Sequence, residues 1–242
     1  MADKLRVLSL FSGIGALDLG LERAGFQTSH FCEVDPYASA VLRNHWPDVP
    51  NIGDVTKADF PDADVISAGF PCQDLSNAGK RAGLAGERSG LWRQVVRAIR
   101  MVRPRLVLLE NVAALLKRGM ETVLGDLAEN GLDAEWDCIP ASFVGAPHGR
   151  DRIWLIAYPE RGERWQEPYL WAVGRMGRQQ QSIPWDRDWK DALREFRGVD
   201  DGSAYRVDRI DTIRNAVVPQ IPEMIGRAIL NANRPSDETP AP

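Results

Sequence analysis

The chain has 242 residues, of which 44% are hydrophobic and 26% charged, with a net charge of −4; that is enough to bury one sizeable core and excludes a low-complexity or fibrous polypeptide. Its three cysteines, Cys32, Cys72 and Cys138, stand far apart with no CxxC pair, so neither a disulfide framework nor a metal site is expected, and a reducing compartment suits them. No segment is apolar for long enough to span a bilayer and no signal peptide is visible, so a cytoplasmic protein off the membrane is expected.

Leu5–Leu10 reads as a strand, followed by the loop Phe11-Ser12-Gly13-Ile14-Gly15 and a helix over about 16–24 that stops at Gly25. Ser29–Val34 reads as a second strand ending in the acids Glu33 and Asp35, and Pro36 opens a helix with Ala38, Val41 and Leu42 on one face. Strand, glycine turn, helix and strand with a terminal acid make a nucleotide-binding βαβ unit. Further strands are expected at Asp64–Ala68, Leu106–Leu109, Glu135–Ile139 and Ile153–Ala157, with helices at about 91–102 and 120–130 between them and a last helix over about 219–232. This alternation predicts an α/β protein, a mainly parallel sheet covered on both faces with ligands at the carboxyl ends of its strands. From Pro159 to Arg197 the periodicity stops, and tryptophans mix with arginines among which Arg175 and Arg178 are candidates for substrate contact. Those tryptophans serve either to pin a long loop to the core or to take part in recognition.

The segment Gly69-Phe70-Pro71-Cys72-Gln73 places a cysteine after a proline at the end of an apolar run. The fixed φ of Pro71 stiffens the turn, so Cys72 is presented as a nucleophile unless it is an inert packed thiol. The glycine loop lacks the third glycine of the dinucleotide fingerprint, Asp18 standing in its place, which counts against NAD or FAD.

Taken in order, Leu8 to Gly15, Glu33-Val34-Asp35, Gly53-Asp54-Val55-Thr56, Gly69 to Gln73 with Ser76 and Gly79-Lys80, Glu110-Asn111-Val112, Arg150-Asp151-Arg152 and Asn215 to Pro219 resemble the motifs of the DNA (cytosine-5)-methyltransferase family. The likeness covers about 1–158 and 206–232. It implies a Rossmann-like S-adenosylmethionine-dependent fold with catalytic and cofactor-binding residues in 1–158, a reduced target-recognition region in 159–205, a segment over 206–234 that returns to the catalytic domain, and a disordered tail at 235–242. It further implies that Cys72 adds to C6 of cytosine, that Glu110 serves the base N3, and that Arg152, with Arg150, holds O2 and lowers the thiol pKa. Phe11, Gly13, Gly15, Glu33, Asp54 and Asn215 would hold S-adenosylmethionine; Pro71, Gln73, Ser76 and Lys80 would face double-stranded DNA with its target base flipped out. A protein partner could supply specificity. The implied setting is restriction-modification. RNA cytosine methylation by the same chemistry and a non-catalytic binding relative are the alternatives. Joint retention of Cys72, Glu110 and Arg152 argues against the second.

Overall fold

The computed structural model describes residues 4–71, 90–146, 148–159 and 216–232. Six strands, β1 (Arg6–Leu10), β2 (Gln27–Cys32), β3 (Val65–Ala68), β4 (Leu106–Val112), β5 (Leu132–Pro140) and β6 (Asp151–Pro159), form one sheet in the order β2-β1-β3-β4-β6-β5. The pairs β1–β2, β1–β3 and β3–β4 are parallel, whereas β6 runs antiparallel between β4 and β5. The sheet is therefore mostly parallel, as expected, with one reversed strand that nothing in the hydropathy pattern announces.

β1 and β3 are apolar almost throughout because both of their faces are covered. Leu8, Leu10, Ile66 and Val107 pack on one face against α3 (Gly90–Val102) and α5 (Met120–Glu129), through Trp92, Val95, Ile99, Val123 and Leu127. Val7, Val65, Leu108 and Ile156 pack on the other against Leu17 and Leu21 of α1 (Ala16–Ala24) and Ile221, Ile225 and Ile229 of the last helix, α6 (Gln220–Ala232). α1 begins after Gly15 and stops at Gly25, whose φ of 120° few side-chain-bearing residues tolerate. α2 (Pro36–His45) has Pro36 in its first turn and an Asp35 carboxylate that accepts the Ala38 N–H at 2.7 Å, an N-cap. A short helix α4 (Leu115–Arg118) and a 3₁₀ turn (Ala141–Val144) complete the described elements.

Four strand readings shift, among them β6, which runs two residues past its expected limits at each end. β2 lies two residues earlier than expected, leaving Glu33 just beyond its end. β4 runs on to Val112 because Glu110, Asn111 and Val112 pair with Trp154, Ile153 and Arg152. β5 starts at Leu132 and is the sheet's edge, which accounts for the exposed Asp133 and Asp137 along it. No helix among the described residues is long and apolar enough to cross a membrane.

Candidate active site

The loops after β1 and β3 and the ends of β2 and β4 meet at one edge of the sheet, where strand order reverses about β1, the usual ligand position in such sheets. A cavity of about 250 Å³ opens there, lined by Phe11, Ser12, Gly13 and Ile14 of the first loop, by Asp18 of α1, by Glu33 and Asp35, by Ser67 to Gly69 and Glu110, and by Ala216 and Val217 ahead of α6.

The first loop is held in a tight, partly left-handed path, with φ of 55° at both Phe11 and Gly13 and 78° at Gly15. The Phe11 N–H donates to the Cys32 carbonyl at 2.9 Å, tying the loop to β2. Glu33 completes the tie: its Oε2 accepts the Gly13 N–H at 2.7 Å and its Oε1 accepts the Asp35 N–H at 2.8 Å. One lone pair on each oxygen is thus engaged and one remains to accept from a ligand hydroxyl. Gly15 has a packing role. It does not line this cavity; a Cβ there would lie 2.6 Å from the Trp46 ring, so its small size lets α1 close on that indole. Asp54 also stands outside the lining. Its Oδ1 accepts from both the N–H and the hydroxyl of Thr56, at 2.9 and 2.8 Å, which holds its pKa down, and the Lys57 ammonium lies 3.5 Å from Oδ2.

At the far wall, the Glu110 carboxyl sits within 3.4 Å of where a Cβ on Gly69 would be, so the chain leaving β3 passes directly beside it. Burial pushes the Glu110 pKa up to about 7, against the opposing pull of Arg152 and Arg150. Arg152 Nε is 2.9 Å from Glu110 Oε1, an ion pair whose N–H is poorly aligned on its partner. This pairing comes from strand register, since β6 returns antiparallel beside β4. Arg150 precedes β6 with φ of 24°, and desolvation lowers its pKa.

Asn111, a residue the sequence reading gave no role, is buried and donates from Nδ2 to the Phe70 carbonyl at 3.1 Å. It links the end of β4 to the segment leading into Pro71, while the Phe70 ring anchors on Trp92 with centroids 5.1 Å apart. Asp18 was also missed as a site residue. A polar side chain between Leu17 and Leu21 on the buried face of α1 was the available signal. Pro71 is exposed at the end of its segment. Cys72, Gln73, Ser76, Lys80, Arg175, Arg178 and Asn215 lie outside the described residues. No cluster of metal-ligating side chains occurs among the described residues.

Comparison with known proteins agrees with this layout. Residues 5–188 match the profile of the family described as C-5 cytosine-specific DNA methylase, a match that runs beyond residue 158. Type II methyltransferase M2.BsuMI of Bacillus subtilis (strain 168) is 40% identical over 162 residues, covering 63% of this chain and 42% of that protein. M.NgoFVII of Neisseria gonorrhoeae is 30% identical over 195 residues, covering 71% of this chain and 52% of that one. The chain thus spans about half the length of these relatives or less. The S. pombe Dnmt2 methyltransferase structure superposes with a TM-score of 0.62 at 20% identity, over 76% of this chain and 59% of that one, and so shares the fold. With the glycine loop, the strand-end acids and the β4–β6 ion pair in one site, and with most of its length matched, the chain belongs to the C-5 cytosine-specific DNA methylase family.

Proposed function

We propose that the protein transfers a methyl group from S-adenosylmethionine to C5 of a cytosine flipped out of double-stranded DNA. The observation that carries this reading is Glu110: a buried carboxyl with its pKa raised to about 7, beside Gly69 and against Arg152, on the rim of a cavity that holds the strand-end acid Glu33. Such a carboxyl is protonated often enough near neutrality to hold or donate a proton at the base N3. Arg152, and Arg150 with it, would hold the base O2 and favour a thiolate at Cys72. Cys72 would add to C6, making C5 nucleophilic, and would leave by elimination once a base removes the C5 proton. Asn111 would support the approach of Pro71 and Cys72.

The cavity suits the cofactor chemically. Asp18, Glu33, Asp35 and Glu110 line it and, among the described residues, no lysine, arginine or histidine does, so it favours a ligand with positive charge. Phe11 and Gly13 would flank that ligand and Glu33 would accept from its ribose hydroxyls. Asn215, next to the cavity-lining Ala216, would close over it, and Asp54 would act only from outside the wall. S-adenosylmethionine in the cavity would supply an electrophilic methyl on a sulfonium. Target choice would rest on residues 159–205, with Arg175 and Arg178 toward the duplex, or on a partner; a restriction-modification role fits relatives named Type II methyltransferases, and the cytoplasm is its proposed place. Bisulfite sequencing of DNA from cells expressing the chain tests the reading: conversion-resistant cytosines in a defined context support it, and their persistence with Cys72→Ser refutes it.

A further inference from the structure

Of the four carboxyl groups around the cavity, three have partners. Glu33 accepts two backbone N–H groups, Asp35 caps α2, and Glu110 faces Arg152. Asp18 differs: it is wholly buried, and among the described residues its carboxyl oxygens meet no cation and no well-aligned donor, the hydroxyls of Ser9 and Ser67 being its polar neighbours. Ser9 and Ser67, paired in register on β1 and β3, flank it on the sheet side with their hydroxyls. Burial pushes its pKa up to about 7, the serines and its own backbone opposing and Glu22 adding to the rise. Ionisable groups on the neighbouring elements include Arg6 on β1, His30 on β2 with Glu33 and Asp35 beyond its end, Glu110 on β4, Arg150 just ahead of β6 with Asp151 and Arg152 in it, and Glu223 on α6, which pairs with Arg227 at 2.9 Å. A buried carboxyl with no counterion among the described residues, in the wall of an otherwise acidic cavity, suits a cationic ligand.

Resting on the cofactor reading above, we propose that Asp18 senses the charge of the cofactor: neutral beside the uncharged thioether of S-adenosylhomocysteine, ionised beside the sulfonium of S-adenosylmethionine, it makes the site prefer substrate over spent product. The cavity volume corresponds to a sphere roughly 8 Å across, and a unit charge at that distance in a medium of effective dielectric near 20 lowers a carboxyl pKa by more than about one. The proton leaves to solvent when the sulfonium enters and returns once methyl transfer removes the charge. Asp18 touches no reacting atom in this scheme and is a positioning residue for charge.

The test is calorimetric titration of the full chain with each compound at pH 7 in buffers of different ionisation enthalpy. Starting from a carboxyl near half-protonated, S-adenosylmethionine should release about half a proton more than S-adenosylhomocysteine. Asp18→Asn should diminish that difference and cut the preference for S-adenosylmethionine roughly tenfold, the equivalent of one pKa unit; Glu110, whose pKa is also pushed up to about 7 on the same cavity, supplies what remains. Equal proton release for the two compounds in the unmodified protein, a comparison that needs no variant, overturns the inference while leaving the cofactor reading intact. So does a difference that Asp18→Asn leaves undiminished. Binding of neither compound overturns the cofactor reading and the inference with it.

Discussion

Alanine in place of a helix-interior glycine ordinarily stabilises by roughly 0.5–1 kcal/mol, because it narrows the unfolded ensemble. At Gly20 the sign should reverse. A Cβ there would overlap the Pro219 carbonyl oxygen and lie 2.6 Å from Pro222 Cγ and 2.9 Å from the Glu223 nitrogen. Two of these three obstacles are backbone, so α6 must move off α1, and overpacking of this kind costs about 1–3 kcal/mol. Subtracting the propensity gain leaves a net loss of up to about 2.5 kcal/mol. Gly125 in α5 is the control, exposed and with nothing within 4 Å of its Cβ position, where alanine should stabilise by about 0.5–1 kcal/mol. Urea unfolding of both variants gives the two signs. Because Ala216 and Val217 reach the cavity just ahead of α6, Gly20→Ala should also weaken cofactor binding severalfold, and Gly125→Ala should not. Equal stabilisation by both changes would refute the reasoning, since it would mean that the α1–α6 contact has slack.

Three further outcomes are expected. Because the folded pKa of Asp18 lies above its ordinary value of 3.8, the folded state holds the extra proton, so its stabilising contribution is full below about pH 4 and lost as pH rises through about 7; urea midpoints of Asp18→Asn should fall less steeply over that window than those of the unmodified protein, and parallel curves contradict this. Glu33→Ala should weaken S-adenosylmethionine binding by roughly 1–3 kcal/mol in calorimetry, through a lost acceptor and a first loop released at Gly13. Asn111→Ala should lower the rate of methyl transfer while leaving cofactor affinity near normal, since its bond goes to the Phe70 carbonyl and it does not line the cavity; equal loss in both would make it merely structural.

The elements with local signals were readable. α1 was fixed by Gly15 and Gly25, α2 by Asp35 and Pro36, and the buried strands by their apolar runs. What escaped depends on partners remote in sequence. The hydrophobic run of β4 ends at Leu109, yet the strand continues because β6 returns beside it, and that same antiparallel return puts Arg152 against Glu110. β5 tolerates charge because it is an edge. The roles of Asn111 and Asp18 were hidden for a related reason: one depends on a carbonyl 41 positions away, the other on two serines brought together by β1 and β3. Gly15 and Asp54 were read as cofactor residues from the family resemblance, and what the sequence did not show is how Trp46 packs on the first and Thr56 fixes the second.

The central claim, a covalent adduct at Cys72, is tested most directly by mass spectrometry of the protein after incubation with S-adenosylmethionine and duplex DNA carrying 5-fluorocytosine at the target found by bisulfite sequencing. Fluorine cannot leave C5 as a proton does, so the account predicts a trapped cytosine adduct on the tryptic peptide containing Cys72, absent in Cys72→Ser. Methyl transfer to normal DNA with no adduct, or an adduct on Cys32 or Cys138, would contradict it.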